Sequence, residues 1–392
     1  MIPRLRPAAG LREIGAAFAA RSTIADFEAA FAATMAQAHA VAFPYGRTAL
    51  LVLFEALGLK DREIILPAYT CVVVAHAIVL SGNKPVFVDS EPGGLNMDLD
   101  KAEAAITERT GAIIATSIHG YPVDLDRLAA LSERYPDVTI IQDCAHSFGA
   151  RWNGRLVNQA GKAAVFGLNI SKIMTSIFGG MVTTDDAALA MTLRAARDRR
   201  LTGSHERGIA RALYLSAALP ALSPALFGVV HAISRLGLID RFVTYYDETL
   251  IDMPADHLVQ IGRAEASVGV VQCATYESIV RQRQHIAAFY DTALRPAFGD
   301  ALPPLVEGAT YSHYVLRVPD PKRLAAAALA RGVELGRVID YCIPDMPAYR
   351  EMIADQGPFD ETRKLNVSIV NVPIWVDERR ARQVVEVLGE LA

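Results

Sequence analysis

Residues 138–184 read VTIIQDCAHSFGARWNGRLVNQAGKAAVFGLNISKIMTSIFGGMVTT. Two apolar runs in this stretch, Val138–Ile141 and Ala163–Phe166, are too short for helices and are bounded by turn residues, which predicts two buried strands. Asp143 follows the first run, and Lys172 follows the second, ahead of Gly179 and Gly180. Ligands of open α/β sheets sit at the carboxyl ends of strands, which makes both residues site candidates. Read alone, the acid also fits a helix N-cap and the lysine a solvated side chain.

Upstream, the runs Ala40–Phe43, Glu63–Leu66, Pro85–Val88 and Ala112–Ala115 alternate with the amphipathic stretches ALLVLFEAL, CVVVAHAIVLS, LDKAEAAIT and LDRLAALSERY. Apolar strands separated by helices predict βαβ units and a mainly parallel sheet covered on both faces. Before them, FEAAFAATMAQA sets Phe27, Phe31 and Met35 on one helical face. Downstream lie a long helical stretch from Glu265 to Leu294, then a smaller unit: strand SHYVLRV, helix PKRLAAAALARG, strand SIVNVPI and final helix DERRARQVVEVLGEL. The expectation is an α/β fold, a three-layer αβα large domain with a smaller C-terminal α/β domain. Its divisions are 1–202, an apolar insertion over 203–257, and 258–392.

The length of 392 residues suits about two or three domains and a large core. A net charge of −4 and the lack of a basic excess argue against nucleic acid as a partner. Cys71, Cys144, Cys273 and Cys342 form neither a disulfide framework nor a metal signature, so no metal site is expected and a reducing compartment is. The N-terminal MIPRLRPAAG lacks an apolar h-region, which predicts no secretory signal and a cytoplasmic chain.

From Ala212 through Ser234 no Asp, Glu, Lys or Arg occurs, while Pro220 and Pro224 interrupt the run. Prolines that close together predict two short helices meeting at a Pro-Ser corner rather than one span. Arg207 and Arg211 precede the stretch, and Arg235 and Arg241 follow it. The preferred reading is a hairpin packed on its own subunit or on a dimer partner. The alternative is a patch over residues 209–240 resting on a membrane surface, and a true span is a third. Arg194, Arg197, Arg199 and Arg200 read as a solvated helix face, or as a contact for anionic lipid.

The segment FPYGRTALLVLFEALG joins a strand to a helix through Gly46, with Arg47 and Thr48 in the first turn. Free N–H groups and the helix dipole there make a phosphate cradle. A phosphate cradle, a lysine and a buried acid together describe a pyridoxal phosphate site: anchor, imine-forming amine and partner for the pyridine nitrogen.

As an ordered set, GRTALLVLFEALG, EIILPAYTCVVVAHAIVLSGNKPVFVD, LNMD, GYPVDLDRL, IIQDCAHSFGA, NISKIMTSIFGGMVTTDD, HYVLRV and AYRE resemble the DegT/DnrJ/EryC1/StrS sugar aminotransferases. These are fold type I pyridoxal phosphate enzymes with the aspartate aminotransferase-like architecture. The resemblance implies a homodimer acting on a small-molecule amino donor, glutamate or glutamine, and a keto-sugar or related cyclic ketone. It assigns Lys172 as the Schiff-base lysine, Asp143 as the pyridine partner and His146 as the contact to the phenolic oxygen. It makes Gly46, Arg47 and Thr48 the phosphate turn, puts Tyr69 and Cys71 in the loop covering the ring, and brings Arg337 and Tyr341 toward substrate. Lys172 also sets the chain apart from the dehydratase variants, which carry histidine there.

Three positions depart from the family pattern. Cys71 replaces an aromatic. Gly167 replaces a serine that gives the phosphate a hydroxyl, a role open to Asn169 or Ser171. DHLVQIG at 256–262 replaces a glycine–aromatic–asparagine motif that reaches the partner's phosphate. With the adjoining insertion, this last change gives the alternative of a lipid-linked or membrane-adjacent substrate. A regulatory or scaffold protein that keeps the fold without turnover is the reading from another class. His313 and Tyr314 read as structural, and Cys144 as a small core filler.

Overall fold

The apolar runs assemble into one seven-stranded sheet in the computed structural model, which describes residues 1–203, 205–234, 247–353 and 355–392. Its strands are β1 (His39–Phe43), β2 (Glu63–Pro67), β3 (Lys84–Val88), β4 (Thr110–Thr116), β5 (Thr139–Asp143), β8 (Ala163–Gly167) and β9 (Gly180–Thr184). Residues 151–152 and 155–156 form the short β6–β7 hairpin. The order is β1-β9-β8-β5-β4-β2-β3. Neighbours from β8 through β3 are parallel, and β9 runs antiparallel to both β1 and β8. The sequence predicts the other six strands but not β9, which returns from β8 through a loop rather than a crossover helix.

Successive strand residues feed opposite cores, as the pleat requires. Ile64 and Leu66 join the apolar cluster on one face, and Ile65 joins the cluster on the other. On the first face lie α3 (Gly46–Ala56), α4 (Val72–Leu80) and α7 (Ala187–Arg200). On the second lie α2 (Ile24–Thr34), α5 (Leu99–Ala104) and α6 (Leu125–Arg134), with Phe27, Phe31 and Met35 fully buried. Ahead of them is α1 (Leu11–Ala19), and between them and the C-terminal unit are α8 (His205–Ala221) and α9 (Phe227–Ser234).

A 36-residue helix, α10 (Arg263–Phe298), leads to the antiparallel pair β10 (Tyr314–Arg317) and β11 (Ile369–Val372). Around this pair lie α11 (Pro321–Ala330), α12 (Pro347–Arg350), α13 (Asp360–Ser368) and α14 (Glu378–Gly389). Tyr290, Tyr314, Tyr349 and Val384 share one cluster with Phe54, Val72 and Ile78, so the C-terminal unit packs on the α3–α4 face of the sheet.

α8 and α9 flank a turn at Ser223–Pro224. One side of α8 is buried: Ala212 and Leu215 pack with Ala17, Ile177 and Val268. The other side leaves Ile209 and Leu213 more than half exposed, and Val229 of α9 likewise. Among the described residues, no helix is long and apolar enough to cross a membrane. Arg235, Arg241 and the 235–240 portion of the expected surface patch lie outside the described residues. The arginines of α7 are not a purely solvated face. Arg194 and Arg197 pair with the buried Glu28, and Arg199 and Arg200 pair with Glu55.

Candidate active site

Parallel strands aim their carboxyl ends at one edge of the sheet, and the candidate residues gather there. Asp143 ends β5 beside Thr116 at the end of β4, and β5 pairs with β8, which leads into the Lys172 loop. The Asp143 carboxylate accepts from the Ala145 N–H at 3.0 Å and the Thr116 hydroxyl at 3.4 Å. Burial raises its pKa, opposed by those hydrogen bonds and by Lys172. Burial lowers the pKa of Lys172, against the attraction of Cys71 and Asp143, so the amine moves toward its neutral form.

Two adjoining cavities share Lys172, Cys71 and Asn169 in their walls. The inner one, about 60 Å³, is bounded by Gly46, Arg47, Asp143 and Gly167. The outer one, about 340 Å³, is bounded by His146, Arg283, His313, Arg337 and Tyr341. That volume lies within the roughly 300–1,000 Å³ of small-molecule sites.

At the inner end, the first turn of α3 presents its N-terminal N–H groups. The approach of β9 is close: a Cβ on Gly180 would stand 2.4 Å from the Tyr45 carbonyl and 2.5 Å from the Gly46 nitrogen. Thr48 is fully buried and its hydroxyl donates to the His257 carbonyl at 3.1 Å, which leaves its backbone rather than its side chain for an anion. The Arg47 guanidinium is buried, 4.0 Å from Asp252. The Asn169 side-chain oxygen accepts from the Ser171 N–H and hydroxyl, at 3.0 and 2.6 Å, and so shapes the loop that carries Lys172.

Cys71 lies in the walls of both cavities, whereas Tyr69 is buried behind His119, its hydroxyl 3.2 Å from His119 Nε2. Tyr69 therefore supports a histidine rather than covering a ring. Arg337 sits 3.6 Å from Asp340, and Tyr341 accepts the Val72 N–H at 3.1 Å; both still line the outer cavity. At the position of the expected asparagine motif, the Gln260 amide donates to the Ala42 carbonyl of its own chain at 3.2 Å.

The sequence points to His146 but not to the company it keeps. His119 stacks on His146 at 5.8 Å, and His313 lies 5.1 Å from His146 and 5.4 Å from His119. His119 adopts φ 54°, a left-handed conformation uncommon outside glycine, and such strain concentrates at functional sites. Burial and Lys172 hold its pKa down at about 3, and burial holds His146 and His313 well below the usual histidine range. The ligand atoms of the three lie within 4.8 Å of one another, a spacing open to a metal ion. The His119 N–H, however, donates to His146 Nδ1 at 3.4 Å, which puts the His146 proton on Nε2 and leaves that nitrogen a donor. SIHG at 117–120 and the HYVLRV strand carry no local pattern that announces these roles; only the meeting of β4, β5 and β10 does.

These residues fit pyridoxal phosphate. A buried carboxylate held by two neutral donors suits a protonated ring nitrogen, a lysine whose pKa burial lowers suits covalent attachment, and a crowded helix N-terminus suits a phosphate.

The model of the DegT/DnrJ/EryC1/StrS aminotransferase family matches residues 15–216. The chain is 36% identical over 175 residues to GDP-perosamine synthase of Caulobacter vibrioides, a match covering 44% of this chain and 47% of that protein. It is 38% identical over 169 residues to L-glutamine:2-deoxy-scyllo-inosose aminotransferase of Micromonospora echinospora, covering 42% and 40%. These two alignments thus span less than half the length of either relative. The pleiotropic regulatory protein of Geobacillus stearothermophilus is 26% identical over 371 residues, 93% of this chain and 87% of that one. Among solved structures, the PLP form of a putative sugar aminotransferase, Spr1654 of Streptococcus pneumoniae, superposes with a TM-score of 0.78 at 19% identity, covering 100% and 98%.

Proposed function

The chain belongs to the DegT/DnrJ/EryC1/StrS aminotransferase family, and we propose that it is a pyridoxal phosphate-dependent aminotransferase acting on a keto-sugar or related cyclic ketone. The observation that carries this is the convergence of Asp143, Lys172 and the α3 N-terminus on one cavity. The relatives supply the substrate classes: one is a GDP-perosamine synthase, and another an aminotransferase that passes nitrogen from L-glutamine to 2-deoxy-scyllo-inosose.

Bound pyridoxal phosphate supplies a ring that accepts electrons from the donor's α-carbon. Lys172 would hold the cofactor covalently, and its Nζ would take the donor's α-proton, a task that needs the neutral amine burial favours. Asp143 holds the ring nitrogen protonated, and that opposite charge offsets the cost of burying its carboxylate. Gly46, Arg47 and Thr48 would anchor the phosphate through backbone N–H groups, and Cys71 and Asn169, which line the same cavity, would border the ring. His146, neutral and with its proton on Nε2, offers a donor to an oxygen on the ring. Arg337 and Tyr341 border the space for substrate. The assembly is a homodimer, and four free thiols are in keeping with a reducing, cytoplasmic setting.

The absorbance of the purified holoenzyme tests this reading. The cofactor's visible band should bleach on adding glutamate or glutamine, and borohydride reduction should fix the cofactor on the Lys172 peptide. Lys172→Ala should do neither. A wild-type protein that binds the cofactor yet answers no amino donor would mean a regulatory role, like that named for the Geobacillus relative.

The exposed face of α8 and α9 favours a second reading, in which the same chemistry serves a lipid-linked or membrane-adjacent substrate. Ile209, Leu213 and Val229 make an apolar surface on helices anchored beside the phosphate turn, where Arg211 donates to Asp256 at 2.8 Å and to the Tyr45 hydroxyl at 3.1 Å.

A further inference from the structure

Arg283 projects from α10 into the wall of the outer cavity and is only 4% exposed. One of its terminal nitrogens donates to the carbonyls of Ser312 at 2.9 Å and Tyr311 at 3.3 Å. Among the described residues, no carboxylate forms an ion pair with it. Burial lowers its pKa to about 10, which leaves the guanidinium charged at neutral pH. A buried cation without a counter-ion is costly, and proteins keep one where a ligand brings the missing charge.

The other arginines of this cavity are matched within the chain. Arg337 stands 3.6 Å from Asp340, and Arg4 stands 3.8 Å from Glu334. Asn371 also lines this space, its side-chain oxygen taking the Val338 N–H at 2.8 Å and its Nδ2 buried behind the wall. Lys172, Arg283 and His313 line the same cavity, and His313 feels the positive charge of both cations. One unmatched charge suits a monoanion. A guanidinium with N–H groups to spare suits the two oxygens of a carboxylate better than the double charge of a sugar diphosphate.

We propose that Arg283 binds the α-carboxylate of the amino donor and so turns the donor's nitrogen toward Lys172. This rests on the aminotransferase reading above and adds the residue that selects α-amino acids as donors. Arg283 takes no part in the keto substrate's half of the cycle; it holds the donor's carboxylate until the donor leaves the site as its α-keto acid.

The test follows the donor half-reaction of the holoenzyme by absorbance, with L-glutamate and its α-amide, isoglutamine, as probes. Wild type should need about 10- to 100-fold more isoglutamine than glutamate for half-maximal rate, the loss expected for a charge-assisted hydrogen bond. Arg283→Gln should raise the glutamate requirement by a similar factor and abolish the preference, while still showing the cofactor's visible band. Equal half-saturation by the two probes in wild type overturns the proposal, whether or not the variant folds. So does an Arg283→Gln protein that prefers glutamate as strongly as wild type. A wild type that reacts with no amino donor at all instead overturns the aminotransferase reading.

Discussion

Gly167 faces Lys172 from the end of β8, and a Cβ there would meet Lys172 Cε at 3.5 Å and Ala145 Cβ at 3.7 Å, both ordinary contacts. The serine that the family resemblance expects at this position would therefore fit. Gly167→Ser should restore a hydroxyl to the phosphate end and tighten cofactor retention several-fold, about 1 kcal/mol; equilibrium dialysis monitored at the cofactor band would check it. The three histidines make a second prediction at this scale. Their folded pKa values lie below the ordinary 6.5, and that of His119 is about 3. Below pH 6.5 the unfolded chain binds protons that the folded one refuses, so their contribution to stability is intact above 6.5 and drains away as pH falls, for His119 down to about 3. For His119 the loss runs at about 1.4 kcal/mol per pH unit between 6.5 and about 3. His119→Gln should flatten the fall in urea stability between pH 6.5 and 5 by about 2 kcal/mol; parallel curves for variant and wild type would sink the argument. For catalysis the sign reverses in its usefulness: the lowered Lys172 pKa should bring the rising limb of the donor half-reaction below the ordinary lysine range, visible in a pH–rate profile.

Strand β9 shows how an element, rather than a residue, fixes the cofactor turn. It wedges between β1 and β8, and its first residue, Gly180, packs against the backbone of Tyr45 and Gly46 so closely that no side chain fits. Gly180→Ala should displace the start of α3, costing about 1–3 kcal/mol of stability and weakening cofactor binding more than the melting point alone implies. Thermal unfolding with and without added cofactor separates the two effects. The parallel strands are legible in the sequence because buried strands keep apolar runs between helices of fixed period. β9 is not, because a six-residue GGMVTT stretch after a loop has no helix to mark its direction. Likewise, the α7 arginines read as a solvated face from their spacing, yet Glu28 and Glu55 reach them from α2 and α3, contacts that helical period cannot foresee.

At the scale of the whole molecule, the outer face of α8 and α9 presents exposed Ile209, Leu213 and Val229. One side of α8 is packed into its own subunit by Ala212 and Leu215, so replacing residues on the opposite side leaves that core untouched. If the surface serves a membrane, the full chain should co-sediment with anionic liposomes, and the Ile209→Glu, Val229→Glu pair should abolish this while the donor half-reaction stays unchanged. Liposome binding that survives the pair would remove this face from consideration, and a loss of dimers in the variant by light scattering would assign it to the partner subunit.

What the sequence alone determined was everything set by local order: apolar runs that can only be buried strands, a glycine turn opening a helix, and an acid and a lysine placed just beyond strand ends. Those features follow from chain stiffness, pleat and helical period, which act over a few residues. Only the tertiary structure decided that His119 and His313 join His146, that Tyr69 backs a histidine, that Thr48 turns its hydroxyl to His257, and that Arg283 carries an unmatched charge into the cavity above Lys172. Burial and electrostatic fields are sums over neighbours hundreds of residues apart in the chain. No window along the sequence contains them.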